Sequence, residues 1–420
     1  MRGLALGSAA AAVVFLVVAT FNAVVDPYGF VRWVDTPGFN HRKPALKTRV
    51  RLVKAVDVRR LRPAAIVLGS SRSHIALRMS HPGWRDAPRY NLAFDNASPR
   101  EMYAYLRHAY ALRPLKTVVL GLDSDQIKGA NSWLAPDFNR HLLLDPQRPW
   151  TKLRADLAKP MLLLSMDTLA ASIRTLESQG GVQRDWFAPD GQRLGPEFFH
   201  RSTEEYVTKG PAAYFWEIDR KEFSYKTLQP PAPELEPQNG RTPPGSFGYI
   251  RRIVAFCRDH GIALRIYITP SHAHQMEISA LTQESAAIEQ GKRSLVALLA
   301  QDAAKARAAP YPLWDFSGYS SVTTEPVTAD RHEMRYYWDS SHFKEEVGDW
   351  VLDRLFSTVR AGHEPPADFG RRLTPQTVEA ELAEIRQDHL DYVRSHPADI
   401  ATLRTMLDDE RVRRAAHPSE

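Results

Sequence analysis

The run AAIVL at 64–68 ends in Gly69, Ser70, Ser71 and Arg72, and far downstream YYWDSSHF carries Asp339 and His342 three positions apart. A serine hydroxyl becomes a nucleophile at neutral pH when a general base takes its proton, and the base needs an acceptor that fixes its tautomer. The two residues between Asp339 and His342 let the carboxylate turn back to the imidazole Nδ1, leaving Nε2 for a serine delivered by the first strand. The chain order is then Ser, Asp, His. No G-x-S-x-G elbow occurs, which argues against an ordinary α/β-hydrolase.

These residues need a scaffold, and the sequence outlines one. AAIVLG, YNLAF, TVVLGLD, IALRIYIT and YPLWDF are short apolar runs separated by longer amphipathic stretches, the alternation of a parallel sheet covered by helices. Reactive positions in such a sheet lie just past the strands' carboxyl ends. There the chain has Gly69 to Arg72, then Asp95, Asn96 and Ala97, then Asp123, Ser124 and Asp125. Ser98, Pro99 and Glu101 form a capping-box signature that starts a helix after the second strand.

The N-terminus adds a membrane. Residues 4–25 carry no charge and have the length of a bilayer span. With only Arg2 before them and no convincing cleavage site near Ala23, they read as an uncleaved anchor rather than a signal peptide. Basic residues on the two sides nearly balance, Arg2 against Arg32, Arg42 and Lys43, and a long domain can translocate regardless. The segment DPYGFVRWVDTPGFNHRKP reads as an extended or interfacial connector, and 47–62 as a basic surface helix.

From about 125 to 246 the alternation breaks into tryptophans, a helical stretch around LLLSMDTLAASIRTL, and the proline-rich QPPAPELEPQNGRTPPG, a large insertion. Helical spacing returns at Val347, Val351 and Leu355, then at Val378, Leu382 and Ile385, with a last amphipathic segment from Ala398. The expected organisation is an anchor at 1–25, connector and basic helix at 26–62, a catalytic domain at 63–360 that holds the insertion, and a helical extension at 361–420.

In 420 residues there is one cysteine, Cys257, which excludes an internal disulfide. The net charge of +6 is scattered, so no nucleic-acid partner is expected. His272 and His274 have i, i+2 spacing, but no carboxylate or cysteine cluster accompanies them, and neither metal nor cofactor is expected. They are assigned instead to the substrate groove. HEMRY at His332 lacks the second histidine of a zinc-protease helix. Trp133, Trp186 and Trp216 suit either sugar stacking or the core, and Asp315 ends a strand near the site.

G-S-S after the first strand, NLAFDNAS after the second, GLD after the third and a late D-x-x-H together resemble the SGNH/GDSL hydrolase superfamily, over roughly 64–356 with the insertion unaligned. More narrowly, the chain resembles its membrane-anchored extracytoplasmic branch, which includes alginate O-acetyltransferase-type proteins and the D-alanyl-transfer protein of teichoic acid modification. The resemblance implies a three-layer α/β/α, flavodoxin-like domain in the periplasm, held by the inner membrane. It makes Ser71 the nucleophile, with Ser70 the runner-up, and His342 and Asp339 its partners. It places Asn96 at the second-block glycine and Asp123 at the third-block asparagine. Asp123 has no amide to offer an oxyanion, so the hole falls to the backbone N–H groups of Ser71 and Asn96. That leaves Asp123 to hold Arg72 or to be kept protonated. The implied activity is acyl, chiefly acetyl, transfer to a cell-envelope or exported polysaccharide, with a multi-spanning membrane acyltransferase as donor partner. The alternatives are a carbohydrate esterase and a silent anchored scaffold or glycan-binding protein.

Overall fold

A computed structural model describes residues 2–129, 133–180, 186–202, 204–228, 245–327, 333–358 and 360–416. The proline-rich stretch through Pro244, and His332, lie outside the described residues. In the first half the helices are α1 (Arg2–Val25), α2 (Val50–Leu61), α3 (Ser71–Ala76), α4 (Pro99–Leu112), α5 (Ser124–Ile127), α6 (Trp150–Leu163) and α7 (Met166–Glu177). There follow α8 (Gly195–Ser202), α9 (Glu204–Lys209), α10 (Pro211–Leu228), α11 (Ser246–Asp259), α12 (Ala273–Leu281) and α13 (Ser285–Ala306). Last come α14 (Glu345–Phe356), α15 (Val378–Ser395) and α16 (Pro397–Ala416). The chain divides into two compact units, one of Met1–Pro63, Ala104–Pro114 and Ala135–Ala188, the other of Ala64–Tyr103, Leu115–Leu134 and Pro189–Glu420.

In the first unit, α1 is the one helix among the described residues long and apolar enough to cross a membrane, with a mean hydropathy of 2.2 over Ser8–Val25. The segment after it is a folded loop, not an extended connector. Asp26 is buried and its carboxylate accepts the N–H groups of Phe30, Val31 and Arg32 at 2.7, 3.1 and 2.7 Å. Buried Asn40 donates to the carbonyls of Val25 and Val34 at 3.1 and 2.8 Å, closing the loop onto the end of α1. Helix α2 is less superficial than its basic sequence suggests, since Arg51 and Lys54 are buried. The Arg51 guanidinium lies 3.2 Å from Asp137, which offsets the cost of burying it. The helical stretch expected around LLLSMDTLAASIRTL is broken in two because Ser165 caps α7, its Oγ accepting the Thr168 N–H at 3.2 Å.

The second unit is built on a six-stranded sheet of β1 (Ala65–Leu68), β2 (Arg89–Asn91), β3 (Thr117–Leu122), β4 (Ala263–Ile268), β5 (Leu313–Asp315) and β6 (Arg371–Arg372). The order is β2-β1-β3-β4-β5-β6, parallel except for β6. All four β1 residues and all six β3 residues are buried, which is why their sequences are unbroken apolar runs rather than alternating ones. Strand β2 is short, but Leu92 and Phe94 continue its course by donating to Val67 and Gly69 at 2.9 and 3.1 Å. The capping box forms as expected, the Glu101 N–H reaching Ser98 Oγ at 3.3 Å and the Ser98 N–H reaching the Glu101 carboxylate at 3.4 Å. Helices α3 and α14 pack together, as do α5, α11 and α13. Val67, Val119, Tyr267, Phe316, Phe343 and Trp350 belong to one buried cluster that ties the sheet to α14 and to the loop before it.

Candidate active site

Strand β1 delivers Gly69 and then α3, whose N-cap is Ser70. Ser70 is buried and its Oγ accepts the Arg72 N–H at 3.3 Å, so this hydroxyl is used in starting the helix. Ser71, one residue on, points the other way and its Oγ lies 2.9 Å from His342 Nε2. Gly69 and Gly121 make room for this turn. A Cβ on either would come within 2.1 or 2.4 Å of Ser73 Oγ, which sits between the two strands and shares a 2.8 Å hydrogen bond with Tyr267.

The partner loop is a tight hairpin. Tyr337 and Phe343 bridge across it, and the Trp338 N–H donates to the His342 carbonyl at 2.8 Å. Within it, the fully buried Asp339 accepts the N–H groups of Ser341 and His342 on Oδ1, both at 2.8 Å. The same carboxylate meets His342 Nδ1 at 2.9 and 3.0 Å. A carboxylate so bound requires a proton on Nδ1, which leaves the Nε2 lone pair facing Ser71. The Phe199 ring meets the imidazole edge-on at 5.8 Å and stacks on Trp338 at 4.9 Å, fixing the histidine from its open side. Such a relay can take the hydroxyl proton as the oxygen attacks and return it to a leaving group.

Asp123 follows β3 and holds Arg72. Its Oδ1 lies 3.1 Å from the guanidinium and also accepts from Thr269 Oγ1 at 2.8 Å. Burial works against the charge on Arg72, but the carboxylates of Asp123, Glu222 and Asp125 together outweigh it and the guanidinium's pKa is raised. Arg72 also donates through Nε to the Ser341 carbonyl at 2.8 Å, tying the start of α3 to the Asp339–His342 hairpin. Arg72→Met is expected to cost up to about 3 kcal/mol, because it takes the cation from the half-buried Asp123 carboxylate and leaves it only the Thr269 hydroxyl. Adding Asp123→Asn to it should recover much of that loss, and urea denaturation of the two variants and the double checks this.

Asn96 takes a left-handed φ of +50°, which asparagine tolerates better than most residues. Among the described residues, no protein acceptor takes the backbone N–H of Ser71 or of Asn96. Beside them Asp95 bonds to the buried His74 at 3.2 Å and to Arg193 at 2.6 Å, and Arg193 covers the Phe198 ring at 4.6 Å. These contacts had no sequence signal, since Arg193 and Phe199 sit in the aperiodic insertion.

His272 and His274 are not groove residues. Both are buried, because each satisfies an internal partner: His272 Nε2 reaches the Glu325 carbonyl at 2.7 Å and His274 Nδ1 reaches the buried Asp219 at 2.7 Å. Burial would lower the His274 pKa, but the hydrogen bond to Asp219 and the Asp399 carboxylate 3.6 Å from the ring outweigh it and raise it to about 9. A raised histidine stabilises the fold fully below its ordinary value of 6.5 and loses that contribution as pH climbs through about 9. Urea midpoints should therefore fall as pH rises from about 7 through about 9, and Asp219→Asn should flatten the profile.

Trp133, Trp186 and Trp216 are all half-buried. Lys47 covers Trp186 at 3.2 Å and Trp216 packs on His274 at 4.6 Å. Asp315 is buried against Lys292 at 2.7 Å. Arg72, Asp125, Glu222, Lys226 and Gln275 line a cavity of about 130 Å³, and none of Ser71, Asp339 and His342 borders it. Among the described residues no three metal-ligating side chains converge. No protein-family model matches the chain, and no curated protein matches it.

Proposed function

We propose that the protein is an SGNH-like acyl transferase, chiefly an acetyl transferase, that works through an acyl-Ser71 intermediate on a cell-envelope or exported polysaccharide. The observation that carries this reading is the unbroken chain from Ser71 Oγ through His342 to buried Asp339. Its place agrees with it. Strand order reverses at β1, with β2 on one side and β3 on the other, and in open parallel sheets ligands bind at the carboxyl ends beside such a reversal. That order, 2-1-3-4-5, is also the one expected of a flavodoxin-like α/β/α sandwich.

Ser71 Oγ attacks the acyl carbonyl of the donor while its proton passes to His342 Nε2. The two backbone N–H groups of Ser71 and Asn96 receive the tetrahedral oxyanion. As it collapses, the donor's leaving group departs with the proton from His342, and Ser71 keeps the acyl group. A sugar hydroxyl then gives its proton to His342 and attacks the ester, and as the intermediate collapses His342 returns that proton to Ser71 Oγ, releasing the serine; water in place of the sugar makes the protein an esterase. In this reading α1 anchors the chain in the inner membrane and the rest lies in the periplasm, where a multi-spanning acyltransferase supplies the acyl group.

One feature favours the silent-scaffold reading: Asp123, bonded to Arg72, gives the oxyanion nothing. The test is intact-protein mass spectrometry of the full chain in detergent with an aryl acetate. A single acetyl adduct, discharged faster by envelope oligosaccharides than by water, is the expected result. A folded protein that forms no adduct overturns the reading.

A further inference from the structure

Helix α6 carries Trp150, Leu153, Leu157 and Met161, three or four positions apart and within about 80° of arc. This apolar stripe points outward, its members 57, 65, 58 and 69% exposed, and Leu164 and Met166 in the turn to α7 continue it at 39 and 73%. Thr151 and Ala155 are the buried face. A surface helix in water is arranged the other way round.

Helix α1 indicates what covers the stripe. It is exposed from Ser8 to Val17, whereas Asn22, Ala23 and Val25 at its end are buried. Asn22 is where α6 and α7 grip it: Asn22 Nδ2 donates to the Leu163 carbonyl at 2.7 Å, and Ser172 Oγ donates to Asn22 Oδ1 at 2.8 Å. Residues 2–20 rise about 28 Å, close to the hydrocarbon thickness of a bilayer. The membrane boundary therefore falls where α1 enters its socket, and the α6–α7 turn is bonded to α1 at that level.

We propose that the α6–α7 hairpin is seated in the lipid bilayer, with the outward stripe of α6 and the turn residues Leu164 and Met166 immersed at the boundary from which α1 emerges. The proposal rests on reading α1 as the anchor. The flanking charges suit the headgroup region. Asp156 pairs with Arg59 and Asp167 with Arg49, while Trp150, at the far end of the stripe, lies under the Arg154 guanidinium at 5.1 Å.

The test uses the full chain reconstituted in phosphatidylcholine vesicles, with single cysteines at Val13, Leu157 or Met161 carrying an environment-sensitive fluorophore. The native Cys257 is buried, and wild-type protein labelled under the same conditions reports any reaction there. Nitroxide lipids, shallow or deep, quench from the membrane and iodide quenches from water. The expected result is deep-lipid quenching at Val13, and quenching at Leu157 and Met161 several-fold stronger from shallow nitroxide lipid than from iodide. Lipid quenching at Val13 with only iodide quenching at Leu157 and Met161 overturns the seating of the hairpin and leaves the anchor standing. Shielding of those two sites from both quenchers also overturns it, in favour of a second protein surface. Iodide access at Val13 removes the anchor, and the inference with it.

Discussion

Ser71→Ala is expected to abolish the acetyl adduct and to lower turnover of an aryl acetate by about 10⁴-fold or more, the scale on which losing the nucleophile of a hydroxyl–imidazole–carboxylate site operates. Ser70→Ala is expected to keep the adduct. The hydroxyls are neighbours in sequence, but Ser70 Oγ accepts the Arg72 N–H whereas Ser71 Oγ faces His342 Nε2. Removing Ser70 Oγ therefore costs a helix cap, about 1 kcal/mol. Intact mass and initial rates of both variants, with denaturation curves to show that each is folded, make the comparison. An adduct that survives in Ser71→Ala refutes the assignment of the nucleophile.

The parts of this site that sequence exposes are those with a local signature. The parallel strands announce themselves because burial on both faces demands unbroken apolar runs, as at Thr117–Leu122. The Asp339 and His342 pairing is legible because three residues of separation suffice to close a carboxylate onto an imidazole in one hairpin. Even the odd aspartate at 123 could be placed, since an arginine stood at 72 to be held.

What escaped was set by contacts distant in sequence. His272 and His274 look like exposed polar residues after a strand. Their burial depends on Glu325, which fills the acceptor need of one, and on Asp219, which lies in the insertion and pairs with the other. Arg193 is one more charge in an aperiodic stretch until Asp95 meets it at 2.6 Å. Residues 26–40 carry the proline and glycine of a connector, yet two buried side chains, Asp26 and Asn40, supply enough backbone partners to fold them. Local periodicity carries no information about such pairings, because each is satisfied by a group that another element delivers.

Asp339→Asn should lower turnover by about 10⁴-fold while leaving the hairpin in place. The amide oxygen of asparagine can still accept the N–H groups of Ser341 and His342 that Asp339 Oδ1 accepts at 2.8 Å, so the loop retains its internal support. What changes is the partner of the imidazole. An amide NH₂ presented to Nδ1 favours the tautomer with its proton on Nε2, and that nitrogen then donates towards Ser71 Oγ instead of accepting from it. The base is lost although every atom remains near its place. Asp339→Ala removes the loop acceptor as well, so it should lose activity and also unfold at lower urea, which Asp339→Asn should not. Rates of acyl-adduct formation for the two variants, read beside their denaturation midpoints, separate the tautomer from the scaffold. Near wild-type rates in a folded Asp339→Asn protein would mean that His342 works without its carboxylate, and that the buried aspartate serves the hairpin alone.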